Sequence, residues 1–306
     1  MSLKISVYVP CYNAERTIGA CLASLIAQVR KPDEILVIDD GSKDRTLKIA
    51  KRYPGVRIVQ HAVNKGLATA RNTGVRFTKG DLIASIDSDC AADPHWLRIL
   101  AEEMERSPDL CGVAGAVNET ERGTIADRWR TYHMRQHYGQ SVVENPRFLF
   151  GANTVFRRSA LEAAGRYPPV LRTNGEDFEI CRKIYAKIPD AKLRYLPSAY
   201  VHHLRRDTFK SIANAYWRYQ TYVSWARPHQ RSIARTLRQT MLCLGLVWGA
   251  YLPWDFRNKQ HGAIWISLYI TAVLPWLQFR QHMDNRAKVA RLKKMAESSR
   301  TAAPGN

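Results

Sequence analysis

The amino-acid sequence predicts an α/β protein in which a doubly wound sheet occupies residues 1–204 and a basic helical extension occupies residues 205–306. Short apolar runs alternate with helical patterns in the first region, as is typical of a sheet covered by helices on both faces. The runs carry Ile, Val and Leu on consecutive positions, which indicates strands buried on both sides. Beyond Arg205 the pattern changes to long uncharged runs with basic flanks.

Strands and helices alternate over residues 1–90. The predicted strands are Ile5–Val9, Glu34–Ile38, Val56–Gln60 and Asp81–Ile86. The predicted helices are Ala14–Gln28, Arg45–Lys51 and Gly66–Phe77. Parallel strands joined by helices bring their carboxyl ends to one edge of the sheet, where ligands bind. Residues 1–90 are therefore expected to form a nucleotide-binding half.

Residues 91–204 show a less regular order. Helices are predicted over Pro94–Arg106, from Ser159 onward and after Gly175. Strands are predicted over Cys111–Val117, Phe148–Phe156 and Pro197–His203. This part is expected to complete the sheet.

The charge balance points to an anionic partner. Lys and Arg number 47 against 27 Asp and Glu, a net charge of +20, and residues 205–306 hold 17 of the cations but only 4 of the acids. Basic residues beside apolar runs favour a membrane surface over a nucleic-acid groove. The 45% hydrophobic and 24% charged composition excludes a disordered or collagen-like chain.

The cysteines and the first residues indicate a reducing compartment. The 6 cysteines form no CxxC pair and no regular framework, so neither a zinc site nor a disulfide scaffold is expected. The stretch before the first strand shows no charged-then-apolar leader, so we expect no secretory signal.

Polar residues follow the first two predicted strands. Pro10 and Tyr12 come after the first, and Asp39 and Asp40 after the second. The acids can accept hydrogen bonds from a base or ribose, and Tyr12 offers a stacking face. Residues 40–42 also fit a simple turn, although a turn accounts for one acid and not for both.

The fourth predicted strand ends in Asp87-Ser88-Asp89. Two carboxylates around one small residue can bind a divalent cation that bridges a diphosphate. A chance loop is the alternative, but the position at the end of an apolar strand, downstream of two other polar strand ends, favours the binding role.

Several segments in the same order carry a family resemblance. They read SVYVPCYNAERTIGACLASL, VIDDGSKDRT, NKGLATARNTG, SIDSDC, GANTVFRRSALEAAGRYP, NGEDFEICRKI and PSAYVHH. Together they resemble the family 2 inverting glycosyltransferases, which have the Rossmann-like GT-A fold with a mixed sheet. The resemblance implies a GT-A catalytic domain over residues 1–204.

The resemblance also implies roles for individual residues. The predicted nucleotide-sugar ligands are Pro10, Tyr12, Glu15, Asp39, Asp40, Lys65, Arg71, Asp87, Ser88 and Asn153. Asp177 is implied as the base that deprotonates the acceptor hydroxyl, with its neighbour Glu176 as the alternative. Acids at a helix start could also serve only the helix dipole.

Metal binding is implied for Asp87, Asp89 and His203, with Mn²⁺ or Mg²⁺ as the ion. Period-two alternation along the last predicted strand places His203 on the face of Ala199 and Val201, and His202 on the opposite face.

The extension contains two uncharged runs, Gln239–Trp254 of 16 residues and Gln260–Phe279 of 20. Basic residues on both outer sides favour a hairpin at the cytoplasmic face of the cell membrane. Shallow insertion, a buried helical pair or an oligomer interface are the alternatives. The aromatic and basic stretch Ala215–Arg231 fits either a bilayer interface or a cover for the catalytic domain.

The expected function is transfer of a single sugar from a nucleotide-diphospho-sugar to a glycan or lipid-linked acceptor. The Gln-x-x-Arg-Trp signature of processive synthases is absent from this sequence, and the nearest segment, Gln220–Trp225, has the wrong spacing. Two rivals remain: a metal-dependent nucleotidyltransferase and a basic nucleic-acid-binding protein. A nucleotidyltransferase would be expected to carry a glycine-rich phosphate loop near the first strand, and Pro10–Glu15 offers none. In a nucleic-acid-binding protein, the acidic strand ends would repel the phosphate backbone unless a metal were bound.

Overall fold

The computed structural model describes residues 3–226 and 232–301, with side chains for residues 3–220 and 232–283. The chain divides into two units. The sheet unit comprises Met1–Gly123 and Arg130–Arg206, and the helical unit comprises Thr124–Trp129 and Asp207–Asn306.

One sheet forms the centre of the sheet unit. Its strands are β1 (Ile5–Cys11), β2 (Glu34–Asp39), β3 (Val56–Gln60), β4 (Leu82–Ile86), β5 (Cys90–Ala92), β6 (Leu110–Glu119), β7 (Val143–Glu144), β8 (Asn153–Arg157) and β9 (Lys192–His203). Their order across the sheet is β3-β2-β1-β4-β8-β6-β9-β5, and β7 pairs with β9.

Helices connect these strands and continue into the helical unit. They are α1 (Ile18–Ile26), α2 (Thr46–Ala50), α3 (Leu67–Phe77), α4 (Trp96–Arg106), α5 (Ile125–His133), α6 (Arg158–Ala164), α7 (Glu176–Lys187), α8 (Phe209–Ala226), α9 (Ile233–Leu246), α10 (Leu252–Arg257) and α11 (His261–Thr301). A five-residue π-helix, Val247–Tyr251, joins α9 to α10.

The doubly wound half is confirmed. β1, β2, β3 and β4 are parallel, and the side chains of β1 and β4 are buried along their whole length. β8 then runs antiparallel to both β4 and β6, whereas β9 is parallel to β6. The sheet is therefore mixed, as the family resemblance implies.

A register shift between β6 and β9 shapes the end of the sheet. Gly115 pairs with Leu196, but Val117 pairs with Val201, so β9 carries extra residues at this point. A Cβ on Gly115 would lie 1.4 Å from the Ala199 carbonyl oxygen, and only glycine permits this approach. The bulge sets the register of the last residues of β9.

Asn153 fastens this bulge from β8. Its side-chain amide donates hydrogen bonds to the carbonyl oxygens of Ala116 and Ala199, both at 2.9 Å, and accepts one from Trp96 Nε1 at 2.6 Å. The side chain is fully buried. The structure therefore places this predicted nucleotide-sugar ligand in the core, with its amide occupied by protein groups.

The helical unit contains buried polar contacts among its apolar side chains. Trp129 Nε1 donates to Ser267 Oγ at 2.9 Å, and Ser267 Oγ donates to the buried Asp255 carboxylate at 3.1 Å. Within the described residues, one helical segment is long and apolar enough to cross a membrane, His261–Met283 of α11, with a mean hydropathy of 1.4. The other predicted run, Gln239–Trp254, is divided among α9, the π-helix and α10.

Candidate active site

Asp39 closes β2 with an unpaired oxygen. The side chain is fully buried, and Oδ1 accepts the Ser42 N–H at 3.1 Å. Oδ2 is buried without a hydrogen-bond partner among the described residues. Because a buried acceptor without a partner costs free energy, this oxygen is suited to a donor group on a ligand.

Asp40, in contrast, is engaged inside the protein. Its carboxylate accepts the N–H groups of Lys65 and Gly66 at 2.9 and 2.8 Å, and it pairs with His61 Nδ1 at 2.6 Å. His61 Nε2 lies 2.9 Å from Thr73 Oγ1 on α3. Asp40 thus holds the loop that leads into α3, and the exposed Lys65 side chain extends from that loop.

The other predicted residues near the first strand differ in exposure. Pro10 is buried in β1, opposite Ile38, whereas Tyr12 is 47% exposed just beyond it. Glu15 accepts hydrogen bonds from the backbone and the guanidinium of Arg45 at 3.2 and 3.1 Å, and these bonds lower the pKa of Glu15. Tyr12 is thus the most exposed residue of this group.

Arg71 lies on the buried face of α3. Its side chain is 1% exposed, and it donates to Ser85 Oγ at 2.5 Å and to the Gly151 carbonyl at 3.0 Å. It also contacts Asp87 Oδ1 at 2.9 Å and Glu176 Oε1 at 3.1 Å. The structure therefore places Arg71 between the acids after β4 and those at the start of α7.

The acids after β4 are partly open. The side chains of Asp87 and Asp89 are 29% and 31% exposed, and Ser88 between them is half-buried. Burial raises the pKa of Asp87, although Arg71 opposes this shift. Burial also acts to raise the pKa of Asp89, but His203 outweighs it and holds that pKa below its ordinary value.

His203 faces two carboxylates. Its Nδ1 lies 2.8 Å from Glu119 Oε2, and its Nε2 lies 3.4 Å from Asp89 Oδ2. Burial alone would lower the pKa of His203, but Asp89 and Glu119 raise it to about 10. His202 lies elsewhere, with its ring against Tyr200 at a centroid distance of 5.3 Å.

Among the residues that the structure describes, Asp89, Cys90 and His203 form a group that could hold a metal, since one ligand atom from each lies within 4.8 Å of the others. Asp87, also predicted as a ligand, is outside this group, and one of its oxygens contacts Arg71. Burial raises the pKa of the Cys90 thiol well above its ordinary value. The thiolate that binds metals is therefore disfavoured at Cys90. Asp89 and His203 are the better donors, although the raised pKa of His203 means that a cation would have to displace the proton on Nε2.

The acid pair at the start of α7 divides into a buried and an accessible member. Glu176 has 4% of its side chain exposed, and burial raises its pKa to about 7. Asp177 is half-buried, and its oxygens accept the N–H groups of Gly151 and Phe178 at 3.2 and 2.8 Å. Burial also raises the pKa of Asp177.

Sequence reasoning missed Ser85, Glu119 and Gly151 as parts of this site. Glu119 ends β6 opposite His203 in the register, and the two residues are 84 positions apart in the chain. No motif in the sequence connects them. The period-two pattern of β9 was the only available signal, because it identifies the face that His203 shares with Val201.

Comparisons with known proteins identify the family of this chain. Residues 6–165 match the family model described as Glycosyl transferase family 2. The putative glycosyltransferase EpsH of Bacillus subtilis (strain 168) is 32% identical over 166 residues, which are 52% of this chain and 48% of EpsH. The poly-beta-1,6-N-acetyl-D-glucosamine synthase of Staphylococcus epidermidis is 25% identical over 245 residues, 78% of this chain and 57% of the synthase. The chain thus spans about half the length of these curated relatives.

Solved structures share the fold. TarS 1–349 of S. aureus in complex with UDP-GlcNAc gives a TM-score of 0.56 at 19% identity, over 91% of this chain and 92% of that one. GalNAc-T7 with UDP, GalNAc and Mn²⁺ gives a TM-score of 0.56 at 19% identity, over 79% and 54% of the two chains. These likenesses show the GT-A fold. Since the family model also spans more than half of the sequence and includes the acids after β2 and β4, the chain belongs to Glycosyl transferase family 2.

Proposed function

We propose that this protein is a metal-dependent, inverting glycosyltransferase that moves one sugar from a nucleotide-diphospho-sugar to an acceptor hydroxyl in cell-envelope or lipid-linked glycan synthesis. The observation that carries the proposal is the buried Arg71 guanidinium. It lies 2.9 Å from Asp87 after β4 and 3.1 Å from Glu176 at the start of α7. The Arg71 guanidinium therefore contacts both an acid proposed to bind the donor and an acid of the pair proposed to activate the acceptor.

Asp177 is the better candidate for the base. An acceptor hydroxyl must reach the carboxylate, and Asp177 is half-buried whereas Glu176 is enclosed beside Arg71. The raised pKa of Asp177 also makes its carboxylate a stronger base. The N–H groups of Gly151 and Phe178 orient this carboxylate. Attack on the anomeric carbon from the side opposite the diphosphate then inverts its configuration.

Asp89 and His203 are the residues that would hold the divalent ion. Carboxylate and imidazole donors suit Mn²⁺ or Mg²⁺, and the two side chains already lie 3.4 Å apart. Such an ion supplies positive charge that stabilises a departing diphosphate. Asp39 would accept a hydrogen bond from the nucleotide through its unpaired Oδ2, and Tyr12 would stack on the base.

A UDP-sugar is the donor that we propose first. The GalNAc-T7 structure was solved with UDP, and the TarS complex holds UDP-GlcNAc. The family assignment favours this reading over a nucleotidyltransferase or a nucleic-acid-binding protein. Transfer of one sugar, rather than processive synthesis, is proposed because the Gln-x-x-Arg-Trp signature is absent from the sequence given. The side chains of the nearest segment after Gln220 lie outside the described residues.

The test uses hydrolysis of the donor, in which water replaces the acceptor. UDP-, GDP- and dTDP-sugars are incubated with the protein and Mn²⁺. Asp177→Asn should slow hydrolysis by about 10²-fold or more, while calorimetry shows UDP binding within twofold of wild type. Asp109→Asn, at an exposed pair with Lys192, is the matched control. Unchanged hydrolysis by Asp177→Asn would transfer the role to Glu176, and full activity in excess chelator would refute the metal requirement.

We also propose that the helical unit holds the protein at the cytoplasmic face of the membrane. In α11, large side chains recur every three, four or seven residues on an exposed stripe, formed by Trp265, Tyr269, Trp276, Phe279 and Met283. The Arg280 guanidinium lies 5.4 Å from the Trp276 ring centre. Aromatic rings with adjacent cations suit the headgroup region of an anionic bilayer. The aromatic side chains over 221–231, predicted to contribute, lie outside the described residues.

Vesicle sedimentation tests this surface. The double variant Trp265→Ser with Trp276→Ser should lose at least about tenfold in binding to phosphatidylglycerol vesicles, because two exposed rings are removed. Phe77→Ser, at a similarly exposed ring in the sheet unit, should bind as wild type does. Equal binding by the double variant would refute the membrane surface. A loss of self-association without a change in vesicle binding would instead identify an oligomer interface.

A further inference from the structure

We propose that Glu119 is a positioning residue for the metal site, acting through His203. The inference rests on the proposed metal-dependent function and assigns a role to a side chain that no sequence motif marks. Glu119 Oε2 lies 2.8 Å from His203 Nδ1, and Asp89 Oδ2 lies 3.4 Å from His203 Nε2. Glu119 and Asp89 therefore lie next to different nitrogens of the same imidazole ring.

A metal-binding imidazole must present a nitrogen lone pair. A carboxylate that accepts the hydrogen on Nδ1 fixes the tautomer that leaves Nε2 available, and it makes that nitrogen a stronger donor. Nε2 is the atom that faces Asp89, the carboxylate of the candidate metal group. The direction of the Glu119 contact is thus the one that a cation beside Asp89 requires.

The backbone makes this contact rigid. Glu119 of β6 is the register partner of His203 in β9, and on the other side of β9 Cys90 of β5 pairs with His203. The His203 carbonyl accepts a hydrogen bond from Thr120 Oγ1 at 2.8 Å. Leu204 N–H donates to the Asp89 carbonyl at 2.8 Å. The ring, its carboxylate partner and the proposed metal ligand are therefore held by neighbouring strands.

The Glu119 carboxylate is buried against His203. Only 5% of its side chain is exposed, and Oε1 is buried without a hydrogen-bond partner among the described residues. A buried carboxylate is costly unless it is paired, and Glu119 pairs with His203. A purely structural position could be filled by an apolar residue at lower cost. Orientation of a metal-binding histidine accounts for the acid.

The experiment measures affinity for Mn²⁺ alone, by the electron paramagnetic resonance signal of the free ion, in wild type and three variants. Glu119→Ala removes the partner and should weaken binding about 10- to 100-fold. Glu119→Gln keeps an acceptor but loses the charge, so we expect a loss above twofold but smaller than that of Glu119→Ala. Glu121→Gln is the matched control: its carboxylate pairs with Arg206 at 3.0 Å, and its affinity should stay within twofold of wild type.

A second readout follows the ring itself. In protein labelled with ¹⁵N-histidine and loaded with diamagnetic Mg²⁺, the nitrogen shifts of His203 should report a single tautomer with hydrogen on Nδ1. Glu119→Ala should bind Mg²⁺ less fully, so its His203 nitrogen shifts should include those of the metal-free ring, and Glu119→Gln should restore part of the wild-type pattern.

The outcomes separate the inference from the proposed function. Mn²⁺ binding within twofold of wild type in Glu119→Gln, or unchanged His203 nitrogen shifts in Glu119→Ala at the same Mg²⁺ concentration, would overturn the role of Glu119 and leave the transferase proposal intact. If Glu119→Ala does not fold, the isosteric Glu119→Gln decides the question through its affinity. A wild-type protein that binds no Mn²⁺ at millimolar concentration would instead refute the metal dependence itself.

Discussion

Replacement of Arg71 by Met tests the central ion pair of the site. The change keeps the buried volume of the side chain but removes the cation between Glu176 and Asp87. The pair with Glu176 is the dominant one, because the side chains are 1% and 4% exposed. Loss of one partner from such a buried pair costs about 3 to 5 kcal/mol. Asp87 is 29% exposed, so its contact adds at most about 1 kcal/mol.

The size of this loss should depend on pH. Burial raises the pKa of Glu176 to about 7, so Glu176 is mostly neutral at pH 5.5 and mostly charged at pH 8. Because the unpaired Glu176 can take up a proton, Arg71→Met should lower the free energy of unfolding by about 4 kcal/mol at pH 8 and by about 3 kcal/mol at pH 5.5. At the lower pH Glu176 is already neutral in the wild type, so the variant does not lose the ionisation that Arg71 supports at pH 8.

Urea denaturation at the two pH values measures the effect, with near-ultraviolet circular dichroism as the signal. Arg76→Met, on the same helix and exposed beside Phe77, is the matched control and should lose less than about 1 kcal/mol. Addition of Glu176→Gln to Arg71→Met should recover part of the loss, since the uncompensated charge is then absent. Equal losses for the two arginine variants at pH 8, or a loss independent of pH, would refute the reasoning.

Two further predictions concern the sheet and the acid pair. Gly115→Ala should prevent the sheet unit from folding, because the new Cβ would lie 1.4 Å from the Ala199 carbonyl oxygen. The control Gly123→Ala should leave the melting temperature unchanged, because its Cβ would have no atom within 4 Å. A folded Gly115→Ala protein would show that the bulge can move. The free energy of unfolding of the wild type should fall as pH rises from about 4.5 to 7, since folded Glu176 retains a proton that the unfolded chain releases. Glu176→Gln should remove about 3 kcal/mol of that fall. Melting temperatures across this pH range check the second point, and parallel curves for both proteins would contradict it.

The sequence was informative where local pattern determines structure. The runs at β1, β2 and β4 are consecutive Ile, Val and Leu residues, so both their position and their burial could be predicted. The family resemblance similarly implied a mixed sheet. The start of β9 was missed because Lys192 and Arg194 interrupt its apolar pattern. The strand β5 was missed because it is only three residues long.

The contacts within the site were harder to predict because they join distant parts of the chain. Arg71 and Glu176 are 105 positions apart, and nothing local marks either residue as the partner of the other. Asn153 shows the converse difficulty. Its motif implied a ligand contact, but the geometry of the bulge directs its amide to Ala116 and Ala199. Residue type indicated polarity in both cases, and only the packing determined the partner.

The bulge in β9 has a consequence for the time at which the site forms during synthesis. Chains emerge from the ribosome with the N-terminal end first, and β1 to β4 can pair long before β9 is made. His203 reaches its partner Glu119 only after 84 further residues have been added, and the bulge must then dock against Gly115 to set the register. A nascent chain that ends before β9 would carry Asp89 without its histidine. The proposed metal site is therefore completed as one of the last events in the assembly of the sheet unit.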